Sequence, residues 1–442
     1  LSERAEEGVT DFSFDSVLFQ SDRLAETVEL KESVTDLDIF EHITKPYLTA
    51  VVAFSDSGNV IAGTDVLGAE RITIKLKSSR KDSQQISKTF YIDKIKINHK
   101  VNDNSQYVVF HLIEDIGYIA NLQNLNKSYR GKCTEIIQKI GNNFLDKDTY
   151  STENDKQAIK VIVPNLNPLD AMSWIARRAS TVDGYPFFLY STLTDEKLKF
   201  ADLGSLISQP PLNTDIPYRF WAGASQSGDK DTERRTIREY DQENTEDLFS
   251  LIQKGLVGSE YNYIDTLKNK KNTFHFDVTK DLLQPLIRNG VLNKNNGNVM
   301  YSPDYSYDGK SFNELNSRRI SVIGGSSAYD NQSIKSMSYG ETESIADYKL
   351  RVISRAIIGF LRKAPMQVTL NGLDFIDGDV NTATGNNIRL EYLKSTPEDV
   401  GNIEKLDTKK SGDYLIIGTQ YMFKREACMV RLSCAKLGNM RL

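Results

Sequence analysis

Glu70-Arg71-Ile72-Thr73-Ile74-Lys75-Leu76-Lys77 is the stretch on which the class of fold turns. From Ile72 onward, apolar and polar residues alternate. Side chains on an extended chain point to two faces in turn, so Ile72, Ile74 and Leu76 share one face of a half-buried strand. The surrounding segments repeat the theme. Upstream, Leu48-Thr49-Ala50-Val51-Val52-Ala53-Phe54 is apolar and rich in β-branched residues, and it ends on the turn formers Ser55-Asp56-Ser57-Gly58-Asn59. Downstream, residues 90–97 and 107–113 read as two more strands. In the first of them the apolar set changes phase between Ile92 and Ile95, as a β-bulge requires. Short strands with turns and no intervening helix predict an antiparallel barrel or sandwich.

Beyond residue 120 the pattern changes. Residues 134–145 predict a helix with Ile136, Ile137, Ile140 and Phe144 on one face. Asn167-Pro168-Leu169-Asp170 is a helix start, with Asn at the N-cap, Pro in the first turn and Asp near the positive end. Asp183-Gly184-Tyr185-Pro186 stops that helix, residues 187–193 and 197–200 read as a hairpin, and Pro210-Pro211 breaks the chain. Residues 226–231 and 292–298 are loop-like in composition, and Asp277 stands where either a strand or a helix begins. Ala346, Leu350, Ile353, Ile357 and Leu361 then mark one face of a helix that Pro365 ends. Strands are expected at 366–370, 388–392, 414–423 and 427–435. The expected organisation is an N-terminal arm at 1–30, a first β-barrel at 31–120, an α+β domain at 121–214, an irregular middle domain at 215–344, and a second β-barrel with a leading helix at 345–442. The fold class is therefore mainly β with α+β insertions: two antiparallel β-barrel domains plus mixed middle domains. No short-period repeat is visible, but the two strand-rich blocks are candidates for copies of one barrel.

Composition sets outer bounds. At roughly 100–200 residues per domain, 442 residues suggest two to four domains. Hydrophobic residues at 39% and charged residues at 26% supply enough apolar material for packed cores. The net charge of −5, with both signs interspersed, argues against sequence-independent nucleic-acid binding, which needs clustered cations. No apolar stretch is long enough for a transmembrane helix, so no membrane anchor is expected. The polar start, Leu1 to Gly8, does not read as a signal peptide. It lacks Met, so the numbering is expected to begin inside a longer product or after processing. Cys133, Cys428 and Cys434 show no metal-ligand spacing. Cys428 and Cys434 share a strand face but lie about 20 Å apart, too far to bridge. All three are expected to be buried thiols.

A search for chemistry returns nothing convergent. His42, His99, His111 and His275 lie on separate segments without zinc-site pairing. The run Gly223 to Gly228 is one residue too long for a nucleophile elbow. Gly324-Gly325-Ser326-Ser327 lacks the Lys and the helix of a phosphate loop. Asp374 to Asp379 lacks the alternating ligands of a calcium loop. Glu114 and Glu135 have no second carboxylate at a glycosidase spacing. Lys268-Asn269-Lys270-Lys271 and Arg234-Arg235 read as solvated faces. No catalytic, cofactor-binding or metal residue is assigned, no cofactor is expected, and the chain is read as a non-enzyme.

Four passages, in this order, resemble the central hub proteins of contractile-tailed phage baseplates and the related hub and spike proteins of contractile injection and type VI secretion systems. Ile39-Phe40-Glu41-His42-Ile43, the strand after it and Leu67-Gly68-Ala69-Glu70-Arg71-Ile72 look like the opening of the hub's first barrel. Residues 163–176 leading into Phe187-Phe188-Leu189-Tyr190 match its helix and aromatic strand pair. Residues 372–380 are similar to its segment ending in a Gly-Asp turn. Ser411-Gly412-Asp413-Tyr414-Leu415-Ile416-Ile417-Gly418-Thr419 is similar to its Gly-x-Tyr-Leu-Ile strand, with residues 427–435 as the last strand. The resemblance implies tail-tube-like barrels and a homotrimer whose paired barrels make a pseudo-sixfold ring. That ring would join the hexameric tail tube to the trimeric central spike, with baseplate wedge proteins around it. Genomic DNA would pass through the lumen without specific binding, and the chain would reside in the virion after assembly in the host cytoplasm. The alternatives are a hub or spike component of another contractile injection system, and a tail-associated cell-wall hydrolase.

Overall fold

The two strand-rich blocks are hydrogen-bonded to one another in the computed structural model, as parts of a single 13-stranded sheet. The structure describes residues 11–24, 26–57, 64, 66–80, 83–102, 105–152, 155, 158–213, 217–220, 234–242, 248–265, 269–288, 298–299, 306–324, 335–337, 345–362, 365–376, 383–393, 406–407, 410–424, 427–436 and 438–439.

The first block contains β1 (Phe12–Gln20), β2 (Val28–Glu29), β3 (Val34–His42), β4 (Thr49–Asp56), β5 (Arg71–Ser78), β6 (Ile86–Asn102) and β7 (Ser105–Glu114). Its strand order is β3-β4-β7-β6-β5-β1-β2, antiparallel throughout. The alternation in β5 holds: Ile72, Ile74 and Leu76 are buried. The phase change in β6 is a bulge between Ile92 and Lys94, followed by two more. Phe12–Gln20, read from the sequence as part of an arm, is a strand of this block. Its Phe12, Val17 and Phe19 are buried in the sheet's core, and a bulge between Phe14 and Ser16 breaks the alternation that would have revealed it.

The middle of the chain packs two further cores. One gathers α1 (Asp115–Asn121), β8 (Ser128–Lys132), α2 (Cys133–Ile140) with the π-helical turn Gly141–Leu145, β9 (Thr149–Ser151), β10 (Ala158–Ile162), α3 (Pro168–Ala176), β11 (Phe187–Tyr190) and β12 (Leu198–Asp202). The cap of α3 forms as its sequence predicts, with Asn167 Oδ1 accepting the Asp170 amide at 2.8 Å and Pro168 in the first turn. After α4 (Leu203–Ile207) come β13 (Tyr218–Phe220), β14 (Glu239–Gln242), α5 (Leu248–Gln253), β15 (Gly258–Asp265) and β16 (Lys270–Asp277). Of the two starts its sequence allowed, Asp277 takes the helical one. It ends β16, and its carboxylate caps the next π-helical turn through the amides of Thr279 and Lys280. Next are α6 (Gln284–Arg288), the short strands β17 (Asn298–Val299), β18 (Ser306–Tyr307) and β19 (Lys310–Ser311), then β20 (Arg319–Gly324) and β21 (Lys335–Met337). The amphipathic α7 (Ile345–Leu361) buries Val352, Ile353, Ala356, Ile357 and Phe360 in the second of these cores, which it shares with β15 and β16.

The second block adds β22 (Met366–Asn371), β23 (Asn387–Tyr392), β24 (Gly412–Lys424) and β25 (Ala427–Ala435), and β26 (Gly438–Asn439) pairs with β17. With β13 and β14 they run β14-β22-β25-β24-β23-β13. The mainly β class is therefore observed. Among the described residues neither block is a closed barrel, because no direct pair of long strands joins its two ends. Each circuit returns on itself through the segment leading into its first strand: β2 pairs with β1, and Thr236 bridges Arg219 on β13.

Buried Asn387 ties the second block to the middle. Its Nδ2 donates toward the carbonyls of Leu206, Ile207 and Gln209 at 3.0, 2.9 and 2.7 Å. Asn387→Ala is expected to lower stability by about 1–3 kcal/mol, because it strands carbonyls inside the protein. The check is a fall in the urea midpoint with an unchanged slope.

Candidate functional site

Among the described residues, no three His, Cys, Asp or Glu side chains converge. His42 on β3 lies 2.8 Å from the Thr44 hydroxyl, and burial, Lys45 and Arg362 hold its pKa below the usual value. His99 is exposed on β6. His111 on β7 has a buried Nε2 with no partner among the described residues. His275 bridges the Asn316 side chain and the Asn313 carbonyl, each at 2.8 Å. Glu135 sits in the first turn of α2 and caps it. Glu114 is buried, accepts the Leu48 amide at 2.7 Å and pairs with Lys88 at 3.7 Å. These carboxylates occupy different elements and serve different partners. The three cysteines are free and buried, and burial pushes the Cys133 thiol up to about 12 and raises Cys428 and Cys434 as well. Such thiols are poor nucleophiles. Lys270 and Lys271 are exposed. The runs 223–228, 226–231, 292–297 and 325–327, together with residues 58–59, 268 and 377–380, lie outside the described residues. No helix among the described residues is long and apolar enough to cross a membrane.

A cavity of about 700 Å³ lies between α3 and α7, and Arg177, Arg178, Arg351, Arg355 and Arg362 line it. Arg178 stacks on Trp174 with its guanidinium carbon 3.9 Å from the ring centroid, and donates to the Trp174 carbonyl at 2.8 Å. Guanidinium groups on an apolar floor can grip carboxylate or phosphate oxygens in pairs. The sequence reading passed over this cluster. Its signal was the spacing of Arg351, Arg355 and Arg362, which puts two cations along one side of α7 and a third just past its end.

The assembly features are the sheet edges. Five strands of the first block have counterparts in the second. The hairpins β6-β7 and β24-β25 correspond, since Asn102 faces Ser105 in one and Lys424 faces Ala427 in the other. β4 flanks β7 as β22 flanks β25, β3 flanks β4 as β14 flanks β22, and β5 flanks the early part of β6 as β23 flanks the early part of β24. β1 and β13 occupy the sixth place, but β1 runs antiparallel to its neighbour and β13 parallel.

The blocks meet where the far half of β24 pairs with the outer edge of β3, from Gly418 opposite His42 to Lys424 opposite Asp36. Tyr421, Phe423, Leu37 and Ile39 are buried along this joint, and Lys424 Nζ lies 3.6 Å from Asp36 Oδ1 on its outer side. The corresponding edges elsewhere have no partner among the described residues. These are the far half of β6, beyond its pairing with β5, and the outer edge of β14.

No protein-family model matches the sequence, and no curated protein matches it. Solved structures do match. A tail protein from Neisseria meningitidis MC58 superposes with a TM-score of 0.53 at 12% identity, over 96% of this chain and 97% of that one. The 43 kDa tail protein of prophage MuSo2 from Shewanella oneidensis does so with a TM-score of 0.50 at 8% identity, over 95% and 98%. The chain has the fold of these tail proteins along nearly its whole length.

Proposed function

We propose that a chain with this tail-protein fold serves as the baseplate hub of a contractile phage tail, a structural symmetry adaptor without a catalytic role. One observation carries the proposal: a single chain presents two corresponding strand blocks joined edge to edge. Three copies would offer six similar blocks to a hexameric tube on one side while keeping threefold symmetry for a spike on the other. Backbone pairing suits this role, because a strand edge joins neighbours without demanding particular side chains. Wedge proteins would surround the hub, and the net charge of −5 is compatible with a lumen along which DNA slides without adhering.

Mass photometry of the purified chain tests this reading. The expected species is three chains, alone or as the unit of a larger ring. A stable monomer that cleaves peptidoglycan would overturn it.

A further inference from the structure

The cavity of about 700 Å³ between α3 and α7 has a strand for its floor. Four consecutive residues, Pro186 to Leu189, line it. Successive side chains of a strand point to opposite faces, so a strand that shows every residue to a cavity shows its backbone edge. The packing of β11 agrees. Phe187 and Leu189 belong to the core that α3 shares, and Phe188 and Tyr190 to the core that α7 shares.

That edge is open. β11 is the outer strand of its sheet, paired on its inner side with β12. On its outer side a lone bridge joins Pro186 to Ser180 at one end, and the Ser191 amide donates to the Lys45 carbonyl at 3.3 Å at the other. The Leu203 amide donates to the Pro186 carbonyl at 3.0 Å, so positions 186, 188 and 190 face β12 while 187 and 189 face the cavity. The Phe187 carbonyl and both backbone groups of Leu189 have no partner among the described residues. Leu189 is buried, and unpaired backbone groups inside a protein are rare and costly.

The rims of this slot carry charge. Arg177 and Arg178 stand on the α3 side, and Arg351, Arg355 and Arg362 on the α7 side, with no Asp or Glu among the described residues that line the cavity. Stacking on Trp174 and a bond to its carbonyl hold the Arg178 guanidinium in place.

We propose that the slot binds an acidic segment of another protein, which adds to β11 as an extended strand between the two arginine rims. Side chains of the added strand would alternate toward α3 and α7, so consecutive acids would each meet a guanidinium. Two of the three waiting backbone groups are carbonyls, which need N–H donors. A polypeptide backbone supplies them, whereas a phosphodiester backbone brings only acceptors and would set oxygen against oxygen. The open edge, Phe187–Tyr190, holds about four residues, and the longest acidic run in this chain is two, so the occupant belongs to a different protein. The proposal does not depend on the hub reading.

Fluorescence anisotropy with a labelled, end-blocked hexaglutamate peptide tests it on the full chain. The peptide should bind saturably. Hexaglutamine should bind at least about tenfold more weakly, and so should hexaglutamate methylated on every backbone nitrogen, which can no longer donate. Arg177→Glu and Arg355→Glu replace exposed side chains, and each should weaken hexaglutamate binding by about tenfold or more while leaving the urea midpoint unchanged. The Leu189 amide should exchange its hydrogen more slowly when the peptide is present. Equal binding of the methylated peptide, or unchanged exchange at Leu189, would mean that the arginines trap anions without strand addition and would overturn the proposal. Tighter binding of oligo-dT than of hexaglutamate would overturn it in favour of nucleic acid. Loss of self-assembly in the two arginine variants would overturn it in favour of a second copy of this chain. Absence of any hexaglutamate binding would overturn it outright.

Discussion

Glu41→Ala should lower the stability of the whole chain by about 2–5 kcal/mol, one of the two largest effects expected of a single substitution here. Glu41 is buried on the inner face of β3, beside the internal joint. One oxygen accepts the Leu193 amide at 2.8 Å and the other accepts the Thr384 amide at 2.9 Å. Leu193 belongs to the middle of the chain and Thr384 to the second block, so one carboxylate fastens three parts together. Alanine leaves two buried amides without acceptors, each costing about 1–3 kcal/mol. Urea unfolding reads the loss, and a change below about 1 kcal/mol would show that water or a neighbour replaces the carboxylate.

The same residue has a pH signature. Burial raises the Glu41 pKa above its ordinary 4.5, and Glu114 is raised in the same way. An acid with a higher pKa in the fold keeps its proton more firmly there than in the unfolded chain. The resulting stability is complete below the unfolded value and is lost as pH rises through the folded one. Glu41→Gln, less stable overall, should show a flatter decline than the parent as pH rises above the ordinary glutamate value of 4.5, with Glu114 supplying the remaining slope. A decline as steep as the parent's would rule out Glu41 as its source.

Lys88→Met should cost about 3–5 kcal/mol, because it leaves Glu114 buried without its counter-charge. Lys88 Nζ lies 3.7 Å from Glu114 Oε1 and donates to the Asp195 carbonyl at 2.8 Å, with both side chains nearly inaccessible. Adding Glu114→Gln removes the charge yet keeps an acceptor for the Leu48 amide. The double variant should therefore recover most of the loss. Equal losses in the single and double variants would mean that the Lys88 contact with Asp195, and not the ion pair, carries the effect.

What could be read locally was read. The alternation of Ile72, Ile74 and Leu76, the phase change after Ile92 and the Asn167-Pro168 cap each depend on residues within a few positions of one another. Phe12–Gln20 escaped notice because the bulge after Phe14 shifts its apolar phase. The arginine cavity escaped because Arg177 and Arg178 directly follow α3 while Arg351 and Arg355 lie on α7 and Arg362 directly follows it, and only packing brings the two helices together. Glu41 looked like an ordinary polar residue on a strand until the chain placed Leu193 and Thr384 against it.

The mainly β class, the positions of most strands and helices, and the presence of two strand-rich blocks are legible in the order of the amino acids. These follow from side-chain periodicity, capping and turn chemistry, which act over one or two turns of chain. That the blocks share one sheet, that β24 pairs with β3, and that matching edges of β6 and β14 remain among the described residues emerges once the chain is folded. Strand pairing is made by backbone amides and carbonyls that every residue but proline supplies alike. Partners at opposite ends of the chain therefore leave almost no mark in the sequence, beyond an aspartate at 36 and a lysine at 424.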